Sequence, residues 1–362
     1  MQITKGKISV RQSFIILLLA IASPSLRILP IFAAEESKQA SWVAVILVTL
    51  PLILLIYMYN NFFVKHEDKS LDEIFEIIVG KFIGKIIVFI YIIWFLFLFS
   101  LYLRYFCERF LSTILVDTPI EFMILVMLGF IYYIIRHNIE AFARMAELFL
   151  FVFFAIFIGV FLIVLPDIKL ENLYPITTYD IPGIMKSTVP LFSLSGFVTY
   201  LFFLGDKMSY KETIKKYGKK FALIYMFMGV VLVITVVGSI GANVAPKFPI
   251  PYFTVIKSIE ILNTIERIES IFIAIWVVND CIILGMFGFI LLGLLQRFCG
   301  TTNPKIFVVP VIFFGYVGSL YIASSSLELH EFSREIGALI NMVIAVIIPV
   351  TVFLIGKIRK KV

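Results

Sequence analysis

Ten apolar stretches run through this chain, at 13–34, 40–62, 85–109, 119–136, 146–165, 187–205, 221–245, 268–292, 304–324 and 335–356. Each approaches the roughly 20 residues that carry an α-helix across a hydrocarbon core about 30 Å thick. Backbone in lipid must hydrogen-bond to itself, so these stretches read as helices and the chain as an all-α polytopic membrane protein. Its residues are 61% hydrophobic and only 15% charged, whereas about 25% charged is usual for a water-soluble domain. The whole of 1–362 is therefore expected to form a single integral membrane domain embedded in a lipid bilayer.

Two of the stretches are interrupted at matching positions of the two halves. Ala22-Ser23-Pro24-Ser25 interrupts the first, and Pro190 with Ser193-Leu194-Ser195-Gly196 interrupts the sixth. Unwound backbone at membrane depth leaves N–H and C=O groups free for a small polar ligand or an ion. Paired interruptions of this kind mark the midplane site of secondary transporters. The ten crossings divide into 13–165 and 187–356, and because five is odd the second half enters from the opposite face, as an inverted repeat requires. No direct sequence repeat links the halves, so the symmetry rests on topology and the two breaks. The competing reading of each break is a proline kink whose serines bond back to their own carbonyls.

Charge fixes an orientation. With the N-terminus inside, the inner segments hold 21 of the 31 Lys and Arg residues and the outer segments hold 8, which places both termini in the cytoplasm. The densest basic runs, Lys207 to Lys220 and the tail from Lys357, flank spans on that inner side, so the excess of +7 implies no nucleic-acid partner. The first 30 residues carry no signal-cleavage pattern, since the apolar run continues past Pro30. Cys107, Cys281 and Cys299 show no ligand spacing, and no Walker, GxSxG, HExxH or CxxC motif occurs. Neither an enzyme, nor a metal site, nor a cofactor is expected.

Three connecting segments are not spans. Residues 70–84 open on the capping box Ser70-Leu71-Asp72-Glu73, and Leu71, Ile74, Phe75, Ile78 and Phe82 recur at helical spacing, which predicts an amphipathic helix on the inner surface. Residues 166–186 form an outer loop, and 246–267 a second outer segment ending in a short surface helix.

Polar residues inside spans cost about 2.5–3.5 kcal/mol each when charged, so they face a partner or a cavity. Asp280, midway along the eighth span, is either a hydrogen-bonded structural carboxylate or a ligand, ion or proton site. Arg27, just beyond the first break, either snorkels outward or pairs with Asp280, provided spans one and eight touch. Arg104 and Glu108 lie four apart on one helical face and are expected to pair. The candidate ligand-binding set is Ala22, Ser23, Ser25, Arg27, Tyr102, Ser193, Ser195, Gly196 and Asp280, while His66, His137 and His330 read as loop residues.

Several stretches resemble the B subunit of bacterial spore-germination receptors, the GerAB/GerKB-like family. They are Ile8-Ser9-Val10-Arg11-Gln12, Leu29-Pro30, Ser41-Trp42, the run Glu140-Ala141-Phe142-Ala143-Arg144-Met145-Ala146-Glu147, and Asn172-Leu173-Tyr174-Pro175. The most telling is Glu266-Arg267-Ile268-Glu269-Ser270-Ile271-Phe272, continuing to Trp276. The likeness covers nearly the whole chain in span number and order. It implies the amino acid–polyamine–organocation superfamily and a LeuT-like five-plus-five inverted repeat with helices one and six broken. It further implies a protein of the inner spore membrane that acts with an A subunit and a lipoprotein C subunit. Such a protein senses a small nutrient, commonly an amino acid, at the midplane between spans one, three, six and eight. The first break departs from that family, where it tends to be glycine-rich. The rival reading is a permease that moves an amino acid with protons or Na⁺, and a third is a structural membrane subunit with a vestigial pocket.

Overall fold

A reciprocal capping box starts the first helix: Ser9 N–H donates to Gln12 Oε1 at 3.0 Å, and Gln12 N–H to Ser9 Oγ at 3.2 Å. The computed structural model describes residues 6–111, 117–258 and 268–362. In order, its helices are α1 (Val10–Ser37), α2 (Ser41–Lys65), α3 (Leu71–Val79), α4 (Lys81–Leu111), α5 (Ile120–Arg136) and α6 (Ile139–Val164). Then come α7 (Ile181–Ser195), the single turn α8 (Val198–Leu201), α9 (Ile214–Ile240), α10 (Pro251–Lys257) and α11 (Ile268–Cys299). The chain closes with α12 (Val308–Tyr321), α13 (Ser326–Phe332), α14 (Ala338–Met342) and α15 (Ile348–Ile358). A two-residue parallel pairing, β1 (Ile8–Ser9) with β2 (Met208–Ser209), ties the entry of α1 to the segment after α8.

Among the described residues, eight helical stretches are long and apolar enough to cross a membrane, and the first, Val10–Lys65, contains both α1 and α2. The chain is an all-α polytopic membrane protein. Helix α1 is buried along nearly its whole length, as an all-round apolar helix inside a bundle must be. It packs against α2, α6, α7, α9 and α11, while α4 packs against α3, α5, α11 and α12. On the outside, Leu148, Phe151, Phe313 and Leu339 are exposed, as side chains facing lipid are. Helix α9 crosses α2 at Gly218, where an added Cβ would stand 2.4 Å from Ile56 Cγ2, so the close approach depends on glycine. Both termini lie at one end: Lys7 reaches Asp68 at 3.5 Å, and Lys65 Nζ donates to the Lys360 carbonyl at 2.7 Å.

The first break is not a break. α1 runs helically through Pro24 and Pro30, and Ser25 Oγ bonds back to the Ile21 carbonyl at 2.7 Å. Proline costs one intrahelical bond at each site, but five packed neighbours hold the helix in register. The second interruption is present but mild. α7 ends at Ser195, Gly196 N–H donates to the Phe192 carbonyl at 2.9 Å, and the chain resumes as α8 and a 3-10 turn over Phe202–Lys207.

Other boundaries move. α7 begins at Ile181, ahead of the apolar run, and the last span begins at Ser326 with two π-helical turns, Ser333–Gly337 and Val343–Ile347. His330 is therefore helical, within α13. The outer loop is docked by its Asn172, whose amide donates to the Gly238 carbonyl at the end of α9 at 2.8 Å. Of the second outer segment, α10 is described, while its end over 259–267, where the short surface helix is expected, lies outside the described residues with the motif residues Glu266-Arg267.

Helix α3 carries the expected capping box and buries Leu71, Ile74, Phe75 and Ile78. It stops at Gly80, whose φ of 98° suits only glycine, so Phe82 belongs to α4 and is exposed. Its Asp72 accepts a bidentate pair from Arg297 at the end of α11, at 2.6 and 2.8 Å. Burial pushes the Asp72 carboxyl above its ordinary range against the pull of Arg297. Asp72→Ala is expected to cost about 1–3 kcal/mol, read as a lower unfolding midpoint of the purified protein, since Arg297 keeps a weaker contact to Asp206 at 3.7 Å.

Candidate functional site

A small cavity of about 60 Å³ lies between the helices, below the roughly 300–1,000 Å³ typical of sites for drug-sized ligands. Four elements wall it. α1 contributes Pro24 and Arg27; α4 contributes Trp94, Tyr102 and Tyr105; α7 contributes Ser193; and the last span contributes Ser333 and Asn341. Phe197, in the interruption after α7, closes one side. The fourth wall is thus the last span, and α11 contributes nothing to the lining.

The last span supplies this wall because of its π turns. Each widened turn disturbs the i→i−4 ladder, and such turns occur mostly where a site is being shaped. Carbonyls around them accept from hydroxyls on other helices instead. Ser193 Oγ donates to Ala338 O at 2.5 Å, Tyr91 OH to Ile344 O at 2.6 Å, and Thr199 Oγ1 to Ala345 O. Asn341 completes the seam: its Nδ2 donates to the Ser193 carbonyl at 2.6 Å, and its Oδ1 accepts from Tyr200 OH. Trp94 Nε1 donates to that same Tyr200 oxygen at 2.7 Å. One polar chain therefore runs from α4 through α8 to α14 and back to α7.

Arg27 sits at the boundary of this cavity and a second one of about 140 Å³ toward the end opposite the termini. Both are lined by Arg27 and Tyr105. The guanidinium lies 3.5 Å from the centre of the Tyr105 ring, and Nη1 donates to Ser333 Oγ at 3.3 Å. Arg109, Glu108, Ile250 and His330 complete the second cavity.

Beside them, with Arg109 bordering the second cavity, lies a buried ion-pair cluster. Asp280 accepts from Arg109 Nη1 at 2.5 Å and from the Ser23 hydroxyl. Trp276 Nε1 donates to Ser23 Oγ at 3.1 Å, and the Arg109 guanidinium stacks 3.7 Å from the Trp276 ring centre. Spans one and eight do touch, as the Arg27–Asp280 pairing needed, but the arginine that reaches Asp280 is Arg109. Arg109, the last residue of the expected third span and one of the eight basic residues assigned to outer segments, is instead 4% exposed, inside α4. Arg104 pairs with Glu108 at 2.8 Å, as their spacing predicts.

Of the residues singled out from the sequence, Arg27, Tyr102 and Ser193 line the cavity. Ser23 and Asp280 belong to the ion-pair cluster. Ala22 is buried in α1, and Ser195 Oγ bonds back to Leu191 O at 3.0 Å. Ser25, besides its bond to Ile21, meets Tyr225 OH at 3.1 Å. At Gly196 the space left by the missing side chain is filled by protein: an added Cβ would meet Ala345 Cβ at 3.0 Å. Sequence reasoning missed Arg109, Tyr105, Tyr200, Ser333 and Asn341. An asparagine inside an apolar run was a usable signal for Asn341. Among the described residues no group of three His, Cys, Asp or Glu side chains is placed to hold a metal.

Comparison with known proteins gives one consistent result. A family model described as "Spore germination protein" matches residues 7–327. YfkT of Bacillus subtilis (strain 168), whose name assigns it to spore germination, is 25% identical over 333 residues, covering 91% of this chain and 90% of that protein. Spore germination protein KB of the same organism is 24% identical over 374 residues, with 99% and 96% covered. Spore germination protein A2 is 26% identical over 283 residues, 77% of each chain.

Proposed function

The chain belongs to the spore germination protein family, and from that premise we propose that it is the nutrient-sensing membrane subunit of a germinant receptor. The observation that carries this reading is the cavity between α1, α4, α7 and the last span, with polar groups at Arg27, Tyr102, Ser193 and Asn341. The ligand is a small nutrient of amino-acid size. Its partners are an A-type subunit and a lipoprotein C subunit, in the inner spore membrane with both termini in the cytoplasm. The bias of 21 inner against 7 outer basic residues, with Arg109 counted inside α4, supports that orientation.

The architecture behind the reading is ten crossings in a LeuT-like five-plus-five inverted repeat. The ten are α1, α2, α4, α5, α6, the α7–α8 pair, α9, α11, α12 and the α13–α15 run. The packing pairs support it, because exchanging each crossing with the one five places on leaves them in register. Contact of α1 with α9 is matched by α7 with α2, α1 with α6 by α7 with α14, and α4 with α12 by α11 with α5.

Sensing requires a ligand that prefers one conformation, since equal affinity for both shifts nothing. The purified chain, screened singly against amino acids, sugars and nucleosides, is expected to gain about 2.7 kcal/mol of stability at a hundredfold excess over Kd for one class. Leu98→Trp, which fills the cavity, removes that gain. Substrate-dependent uptake into vesicles by this chain alone would replace the sensor with a coupled amino acid permease.

A further inference from the structure

Among the described residues Arg27, Arg104 and Arg109 reach into the bundle from the half opposite the termini, and they are not treated alike. Arg104 has Glu108 at 2.8 Å and Arg109 has Asp280 at 2.5 Å. Arg27 meets a hydroxyl and an aromatic face, Ser333 Oγ at 3.3 Å and the Tyr105 ring at 3.5 Å. Among the described residues no carboxylate stands within ion-pair distance of it. A guanidinium held inside a membrane domain with only neutral partners is under-compensated, because desolvation penalises the charge and a ring face returns only part of that. It is also the one cation that lines both cavities among the described residues, so an anion entering from the second cavity meets it before reaching the first.

Backbone cannot take over this role. An unwound first helix would present free N–H groups to an anion. Here α1 is helical from Val10 to Ser37, and its N–H groups past the first turn are committed to the helix. Nor does the cavity answer a ligand cation. Its described lining holds no Asp or Glu. The Ala338 carbonyl already accepts from Ser193, and the Ser193 carbonyl from Asn341. Trp94, Leu98, Tyr102, Phe197 and Phe332 make the remainder apolar and aromatic.

From this asymmetry we infer that the cavity recognises a monocarboxylate with an apolar body, anchored by Arg27 as its bidentate partner, and that a ligand ammonium contributes nothing to binding. The inference rests on the cavity being the sensing site. Among amino acids it selects apolar ones, and it extends the ligand class to carboxylic acids that lack the amino group. A guanidinium fork matches a carboxylate with two parallel N–H···O bonds, which Tyr105 and Ser333 do not supply.

The test uses the full-length purified chain and three probes of one carbon skeleton: L-leucine, 4-methylpentanoate and 3-methylbutylamine. Titration is expected to give the two carboxylates Kd values within a few-fold of each other and the amine a Kd at least tenfold weaker. Arg27→Gln is expected to weaken both carboxylates roughly tenfold to a hundredfold, the loss of a charge-assisted contact, and to leave the amine unchanged. Arg27→Lys keeps the charge without the fork and should fall between. Amine binding equal to that of leucine, or leucine binding unchanged in Arg27→Gln, overturns the carboxylate anchor and leaves the sensing cavity standing. A sugar or nucleoside that binds while all three probes fail overturns the anchor in the same way. Failure of every nutrient on folded protein overturns both.

Discussion

Asp280→Asn is expected to destabilise the protein by about 3–5 kcal/mol, among the largest effects of any single substitution in this chain. The carboxylate is 1% exposed and holds Arg109, Ser23 and, through Ser23, Trp276. Removing its charge takes from the buried Arg109 guanidinium the carboxylate that pairs with it at 2.5 Å. The loss is therefore mainly the cost of a buried cation whose desolvation is less well offset, rather than the worth of the pair. That distinction has a consequence that can be measured. Arg109→Met combined with Asp280→Leu removes both charges and should recover most of the stability, so the two substitutions are strongly non-additive. Unfolding midpoints of the two singles and the double in one detergent check it. Additive losses would mean that the pair is solvated. The cluster joins α1, α4 and α11, so Asp280→Asn should also blunt any ligand response although Asp280 lines neither cavity.

Much of this organisation is legible in the sequence, and the exceptions have identifiable causes. Bilayer length and the need to satisfy backbone in lipid placed nearly every helix, because both act locally on composition. Asp280 stood out because one charge in an apolar run has few explanations. Its partner did not, since a hydropathy boundary drawn at Arg109 assigned that residue to a loop. The structure carries α4 on to Leu111, with Arg109 buried. Pro24 read as an unwound segment because proline removes an N–H, yet neighbouring helices on all sides keep α1 intact. Tertiary packing overrode a local rule. The π turns of the last span have no sequence signature at all. They follow from how Ser193, Thr199 and Tyr91 draw carbonyls out of register, which depends on helices more than a hundred residues away.

Those π turns lead to the second large effect. Asn341→Leu is expected to cost about 2–4 kcal/mol and to abolish ligand-induced stabilisation. Leucine keeps the branching and heavy-atom number of asparagine, so the main change is the loss of its polar atoms, with some added bulk. The Ser193 carbonyl loses its donor at 2.6 Å, and Tyr200 OH loses its acceptor, keeping only the incoming bond from Trp94 at 2.7 Å. Both groups stay buried, and an unmet buried polar group costs about 1–3 kcal/mol. Thr199→Val makes the comparison: it strips one donor from the Ala345 carbonyl and one acceptor from Tyr59, whose hydroxyl donates to Thr199 at 2.7 Å, but it lies outside the cavity lining. It should lower stability and leave the ligand response in place. Ser193→Ala added to Asn341→Leu should cost less than the sum, because the two side chains serve one seam between α7 and α14. Thermal unfolding with and without ligand separates the outcomes. Equal ligand responses in Asn341→Leu and Thr199→Val would mean that the seam holds the helix together without shaping the site.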